Sequence, residues 1–290
     1  MHRAQVILIL AASLASAATS AADFSGDSAF AFTRRAVEFG PRPSGSAEIK
    51  QLQAYILEQL KQCKCQVTEE NFTARTPKGE IAMKNIVAKF PGKPGGRPIA
   101  VTGHYDTKLF PGRKFVGASD SASSTGLLLE LTRALAGEAR SEDVYVVFFD
   151  GEEATGDWSE TDKLYGSRHQ ALKWREDGTL AKLKGVINVD MIGDKQLNIK
   201  REENSTRALV QLVWQVAADL GYRSSFVQDS INIDDDHMPF LQLGAPAVDL
   251  IDFDYEPWHE DSDTLDKLSP QSLQIVGRVV HESVRRLEKQ

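Results

Sequence analysis

The chain has 290 residues, 41% hydrophobic and 26% charged. That balance excludes a disordered or low-complexity polypeptide and supplies apolar mass for one large core. A formal net charge of −7 with a pI near 5.5 argues against a polyanion-binding surface, because a phosphate backbone is repelled on average, so nucleic acid is not an expected partner.

In chain order, Met1-His-Arg precedes an apolar run from Val6 to Ala18 and small residues up to Ala22. This basic, apolar and small-residue order is that of a secretory signal peptide. It divides the chain into a leader, 1–22, and a single domain, 23–290, and implies an exported protein, periplasmic or secreted. No later segment is long and apolar enough to span a bilayer, so no stable membrane anchor is expected.

Helical apolar spacing covers 30–39 and 47–61, broken by Pro41-Arg-Pro-Ser-Gly. Strand-like runs at 65–74 and 83–90 lead into the turn chemistry of 91–96. From there apolar runs at 99–103, 144–149, 185–189 and 247–251 alternate with helical patterns at 121–135, 167–174, 205–220, 237–243 and 270–287. Such alternation predicts an α/β sheet with helices on its faces. Trp174 and Trp214, at helical positions among apolar neighbours, read as core. Cys63 and Cys65 lack the further donors of a structural zinc site, and their spacing leaves a local disulfide and two free thiols both open.

The polar residues at the strand ends form a pattern. His104 and Asp106 follow the first apolar run of the alternation, Glu152 and Glu153 the second, Asp190 ends the third, and His259 lies beyond the fourth. Asp120 stands just before a helix. Singly, each has an ordinary explanation: a helix cap, a hydrogen-bonded surface histidine, an aspartate paired with a lysine. Together they are carboxylates and imidazoles of the kind that bind zinc, and buried charge contributes poorly to stability, so the set points to chemistry. Adjacent Glu152 and Glu153 fit a division in which one ligates a cation and the other is a free general base.

Trp158 and Trp258, in polar loops beside these donors, are predicted to wall a small-substrate pocket. Asp234, Asp235 and Asp236 before His237 read as an acidic helix start. One of the three is free to point into the cleft and share a proton with Glu152 or Asp190.

The stretches GHYDTK (103–108), VGASDSASSTGLLLELTRAL (116–135), VFFDGEEATGDWSETDKLYGSRH (147–169), VDMIG (189–193), DDDHMPFLQLGAP (234–246) and PWHEDSDTLD (257–266) resemble animal-type glutaminyl-peptide cyclotransferases, the glutaminyl cyclases. These lie within the M28-like zinc aminopeptidase fold family. The resemblance implies a three-layer α/β/α sandwich with a central mixed, mostly parallel sheet. It also implies a zinc-dependent acyltransferase that converts the N-terminal Gln of peptides or proteins to pyroglutamate with release of ammonia; apart from the resemblance, a monomer is expected.

Carried over position by position, one zinc per chain is held by Asp120, Glu153 and His259. Glu152 is the general base and acid, Asp190 and Asp235 form a carboxylate network beside it, and Trp158 and Trp258 line the pocket for the glutamine side chain. The chain departs from the animal pattern in three places: it lacks their cysteine pair near the zinc region, it has Asp249 where they have a histidine, and it has Asp234 where they have a glutamine. The last two make the expected site more acidic.

The rival reading is a di-zinc M28-type aminopeptidase, with His104 and Asp190 holding a second metal and Asp120 bridging. Against it, Trp158, the LYGSRH run and Asp235 have cyclase counterparts and no required role in a dinuclear site.

Overall fold

The computed structural model describes residues 23–290, and the predicted leader lies outside the described residues. Strand β4 (Val144–Phe149) illustrates how the sequence builds the sheet. Val144, Val146 and Phe148 join one hydrophobic cluster, while Val147 and Phe149 join another on the opposite face. A strand buried on both faces needs a continuous apolar run, and VYVVFF is one.

The remaining strands of the main sheet are β1 (Gln66–Thr76), β2 (Gly79–Phe90), β3 (Ile99–His104), β5 (Gly185–Asp190) and β8 (Ala247–Ile251). Their order is β1-β2-β4-β3-β5-β8. The hairpin β1–β2 and the pair β2–β4 are antiparallel, and the pairs β4–β3, β3–β5 and β5–β8 are parallel.

Helices α1 (Gly26–Glu38), α2 (Ala47–Leu60), α3 (Ser124–Leu135), α5 (Arg207–Asp219) and α7 (Pro270–Glu288) contribute to the larger cluster on one face. Helices α4 (Tyr165–Glu176) and α6 (Met238–Gln242) cover the other. This is the expected sandwich. Trp174 and Trp214 are buried in these two layers.

Local chemistry sets the helix starts. The Ser25 and Ser46 hydroxyls accept from the Ser28 and Ile49 amides, and Pro270 follows the cap Ser269. The Ser25 cap begins α1 four residues before the apolar spacing suggested. Two strands had no sequence signal: β6 (Ile199–Glu202) and β7 (Phe226–Ile231), a parallel ribbon apart from the main sheet. In β7 only Phe226 is buried, so no alternation of apolar and polar residues marks it. Cys63 and Cys65 are joined in a disulfide between α2 and β1. Among the described residues, no helix is long and apolar enough to cross a membrane.

The parallel strands point their C-terminal ends the same way. Because β3 has β4 on one side and β5 on the other, the chain reverses its direction of travel across the sheet there, and a crevice opens beyond those ends.

Candidate active site

Two glycines shape the acidic loops around this crevice. Gly151, at φ 75°, turns the chain out of β4 into Glu152, and a Cβ there would sit 2.5 Å from the Met83 sulfur. Gly117, at φ 50°, opens the irregular turn Ala118–Ser123, and its Cβ would lie 1.7 Å from the Asp120 carbonyl oxygen. Both positions require glycine.

Three buried residues hold these loops: Asp106, expected among the strand-end donors, and Asp263 and Arg42, for which no role was expected. Asp106 accepts from the amides of Glu152 (3.2 Å) and Glu153 (3.3 Å). Asp263 accepts from the amides of Ser119 (2.8 Å) and Asp120 (3.2 Å) and from the Tyr255 hydroxyl (2.7 Å). The guanidinium of Arg42, wholly buried, donates to the carbonyls of Tyr105 (3.1 Å), Val116 (2.5 Å) and Gly117 (3.0 Å). Burial pulls the Arg42 pKa down to about 10, against the attraction of Asp120, Asp263 and Asp106. Apart from the Tyr255–Asp263 bond, these contacts link residues 46 to 144 positions apart, and no local spacing rule encodes them.

Asp120 does not cap a helix. Its carboxylate reaches the Nε2 atoms of His104 (3.2 Å) and His259 (3.4 Å). Glu153 Oε1 lies 3.1 Å from the same His259 nitrogen. Asp120, Glu153 and His259 thus offer one donor atom each, all within 4.8 Å of one another. Two buried carboxylates and an imidazole that open into a cavity fit a zinc ion with three protein ligands and one open position. His259 adopts φ 56°, rare for a side-chain-bearing residue, and its ring is stacked on Trp258 (4.3 Å between centroids) and edged by Phe110 and Phe115.

A second set, His104, Asp120 and Asp190, meets the same distance criterion and is entirely buried. His104 Nε2 lies 3.0 Å from Asp190. Burial disfavours the His104 charge, but Asp190, Asp106 and Asp120 outweigh it and raise its pKa well above the usual value.

A cavity of about 510 Å³ is lined by Asp120, Glu152, Glu153, Trp158, Asp190, Asp235, Trp258 and His259, together with Lys108, Asp234, Ile233 and Phe253. Every residue expected at the site lines it except His104 and Asp106, which are buried. Trp158 and Trp258 are 40% and 41% exposed. A larger hollow of about 760 Å³ beside α5 contains no carboxylate or imidazole among its lining residues, and its size alone does not make it a reaction site.

Burial raises the Glu152 pKa well above the usual range; His104 opposes this, and Glu153, Asp235 and Asp236 reinforce it. Burial also raises Asp190, to about 7, against the pull of His104. Asp235, Asp236 and Asp249 are pushed up chiefly by burial as well. Carboxylates at such proximity share protons.

The two acidic departures have different surroundings. Asp249, wholly buried behind the site, accepts from Asn188 Nδ2 (3.0 Å), which also donates to Asp235 (3.1 Å). Asp234 is bonded to Lys163 and to the Trp158 indole (3.2 Å), so its charge is not free in the cleft.

Residues 85–284 match Peptidase family M28. A solved structure of an Acidobacteriales bacterium glutaminyl cyclase is 39% identical, with a TM-score of 0.89 over 96% of this chain and 99% of that one. The Bos taurus glutaminyl-peptide cyclotransferase-like protein is 30% identical across 73% of this chain and 62% of its own length. A Zn-dependent exopeptidase from Parabacteroides distasonis, 24% identical, shares the fold, with a TM-score of 0.83 over 93% of this chain and all of that one. The chain belongs to peptidase family M28, and the curated relatives it matches carry the glutaminyl-peptide cyclotransferase name.

Proposed function

We propose that the protein is a zinc-dependent glutaminyl cyclase that converts the N-terminal Gln of peptides or proteins to pyroglutamate with release of ammonia. The observation that carries this reading is the split between adjacent glutamates: Glu153 faces His259 in a three-donor set, while Glu152, held readily protonatable, faces a cavity walled by two tryptophans. The identity to a solved glutaminyl cyclase supports it.

Zinc held by Asp120, Glu153 and His259 supplies a Lewis acid for the γ-carboxamide oxygen when bound. The α-amine of the substrate attacks its own γ-carboxamide carbon. Glu152 takes a proton from that amine and returns it to the departing nitrogen, so the new C–N bond replaces the old one and ammonia leaves. Asp190 and Asp235 keep the shared proton within the cluster. Trp158 and Trp258 enclose the glutamine side chain and hold it against its own amine, the proximity that ring closure needs. No water nucleophile enters.

In this reading residues 1–22 are a leader, 23–290 a single catalytic domain, and the protein an exported monomer. Incubation with a Gln-initiated and a Leu-initiated peptide tests the activity. Ammonia and a pyroglutamyl product are expected; free Leu without pyroglutamate overturns it.

The buried His104–Asp120–Asp190 set favours a second reading, a di-zinc aminopeptidase. Metal content separates the two: one zinc per chain accompanies cyclisation, two accompany hydrolysis.

A further inference from the structure

The two tryptophans of the cavity are held by different means. Trp258 is packed between aromatic rings, 4.7 Å from Phe253 and 4.3 Å from His259. Among the described residues no aromatic side chain packs on Trp158 within these distances; its indole N–H instead donates to Asp234 Oδ2 at 3.2 Å. The same oxygen accepts from the Lys163 ammonium, which also bonds Glu160 at 2.7 Å and lies 5.9 Å from the Trp158 ring centre. Lys163 is only 4% exposed, unusual for a lysine without a structural task.

The backbone of the surrounding loop is fixed on both sides of Trp158: the Asp162 amide donates to the Ser159 carbonyl (3.1 Å) and Arg168 Nη1 to the Glu160 carbonyl (2.8 Å). Asp162 accepts from the amides of Thr155 (2.9 Å) and Gly156 (2.7 Å) and from the Tyr165 hydroxyl (2.8 Å). Trp158 lies between these backbone anchors, and its indole is held by Asp234. Asp234 comes from the loop after β7 and adjoins Asp235, so one carboxylate joins the loops that form two walls of the cavity.

We propose that Asp234 and Lys163 form a positioning latch that fixes the Trp158 indole as the pocket wall and thereby sets affinity for the glutaminyl side chain. The latch rests on the cyclase reading for its substrate, not for its geometry. Lys163 neutralises Asp234 and orients it, and Asp234 holds the indole. An exposed indole released from this bond samples several rotamers, and substrate binding must then order it, which weakens binding without altering the reacting groups. The two residues act through Trp158 and take no part in proton transfer.

The test uses K163M, D234A and the conservative D234E. Expected for K163M and D234A is a rise of about 3- to 10-fold in KM for a Gln-initiated peptide with kcat within about twofold, as loss of side-chain ordering predicts; D234E recovers most of the affinity.

A second measurement needs no turnover. In protein labelled with 5-fluorotryptophan, the 19F resonance of Trp158, one of four tryptophans and assigned by its absence in W158F, moves or broadens in K163M and D234A while the other three stay in place. If the wild type makes no pyroglutamate, the cyclase reading falls and the resonance still decides the latch. An unmoved Trp158 resonance in both variants, or a loss of kcat at constant KM, overturns the latch. If K163M does not fold, K163R keeps the charge and D234A carries the test.

Discussion

Glu152 and Glu202 are both buried glutamates, 8% and 2% exposed, and they are driven in opposite directions. Burial alone raises both. Glu202 is nevertheless held down to about 2, because His237 at 3.1 Å, the amides of Asn204 and Ser205 and the Ser205 hydroxyl all serve its charged form. Glu152 has no such set: its closest cationic partner is His104 Nδ1 at 3.9 Å, and its neighbours Glu153, Asp235 and Asp236 are acids. Burial therefore does not set a carboxylate's role. The number of donors facing it does, and a cluster left without them has room for a cation and a mobile proton.

Replacement of each cleft glutamate tests that contrast most severely. Glu152→Gln is expected to lower turnover by about 10³-fold or more, as loss of a general acid–base does, while zinc content is retained. Glu153→Gln is expected to lose the metal. Metal analysis alongside product formation checks both, and zinc loss in Glu152→Gln would reverse the two assignments.

Metal removal comes next. An ion that binds only the folded state at a thousandfold excess over Kd stabilises it by about 4 kcal/mol, so chelation should lower Tm by roughly 10 °C for a chain of this size. The effect has a pH sign. The Asp190 pKa is raised from the ordinary aspartate value to about 7, so its contribution to the stripped protein is fully present below about pH 4 and lost as pH rises through about 7. Calorimetry of stripped and loaded protein should show the gap widening across that window. A constant gap would mean the cleft acids do not titrate as described.

Glu202 should behave in the reverse sense. Its pKa is depressed to about 2, so its stabilisation is present above about pH 4.5 and lost as pH falls toward 2. Glu202→Gln should cost about 2–3 kcal/mol at pH 7, with the difference from wild type closing in acid. Urea titration at both pH values measures it.

What could be read in advance follows the same division. The apolar strands and amphipathic helices were legible because burial on a sheet or helix face imposes a period. The ribbon β6–β7 was not, since only Phe226 of β7 is buried. Donor residues at strand ends were legible as residue types, but their supports were not. Asp263 and Arg42 act by bonding the backbone of distant loops, as does Asp106, whose residue type was visible though this use was not, and a backbone amide or carbonyl has no residue type to match. Asp234 is the sharpest case: its charge was visible in the sequence, and its neutralisation by Lys163, 71 residues earlier, was not.

The smallest effect belongs to the Cys63–Cys65 disulfide, which lies between α2 and β1, outside both acidic clusters. Chain-entropy reasoning relates disulfide stabilisation to the length of chain enclosed, and this bridge spans only two residues of separation. The double replacement C63S/C65S should therefore cost about 1.5 kcal/mol. Strand β1 pairs with β2 alone and contributes no residue to the cavity, so kcat and KM should be unchanged. Denaturant midpoints and turnover measured on the same variant check both halves. A loss of turnover beyond the stability effect would show that the hairpin edge communicates with the cleft, and the separation of structural from catalytic groups drawn from Glu152 and Glu202 would then fail at the scale of the whole sheet.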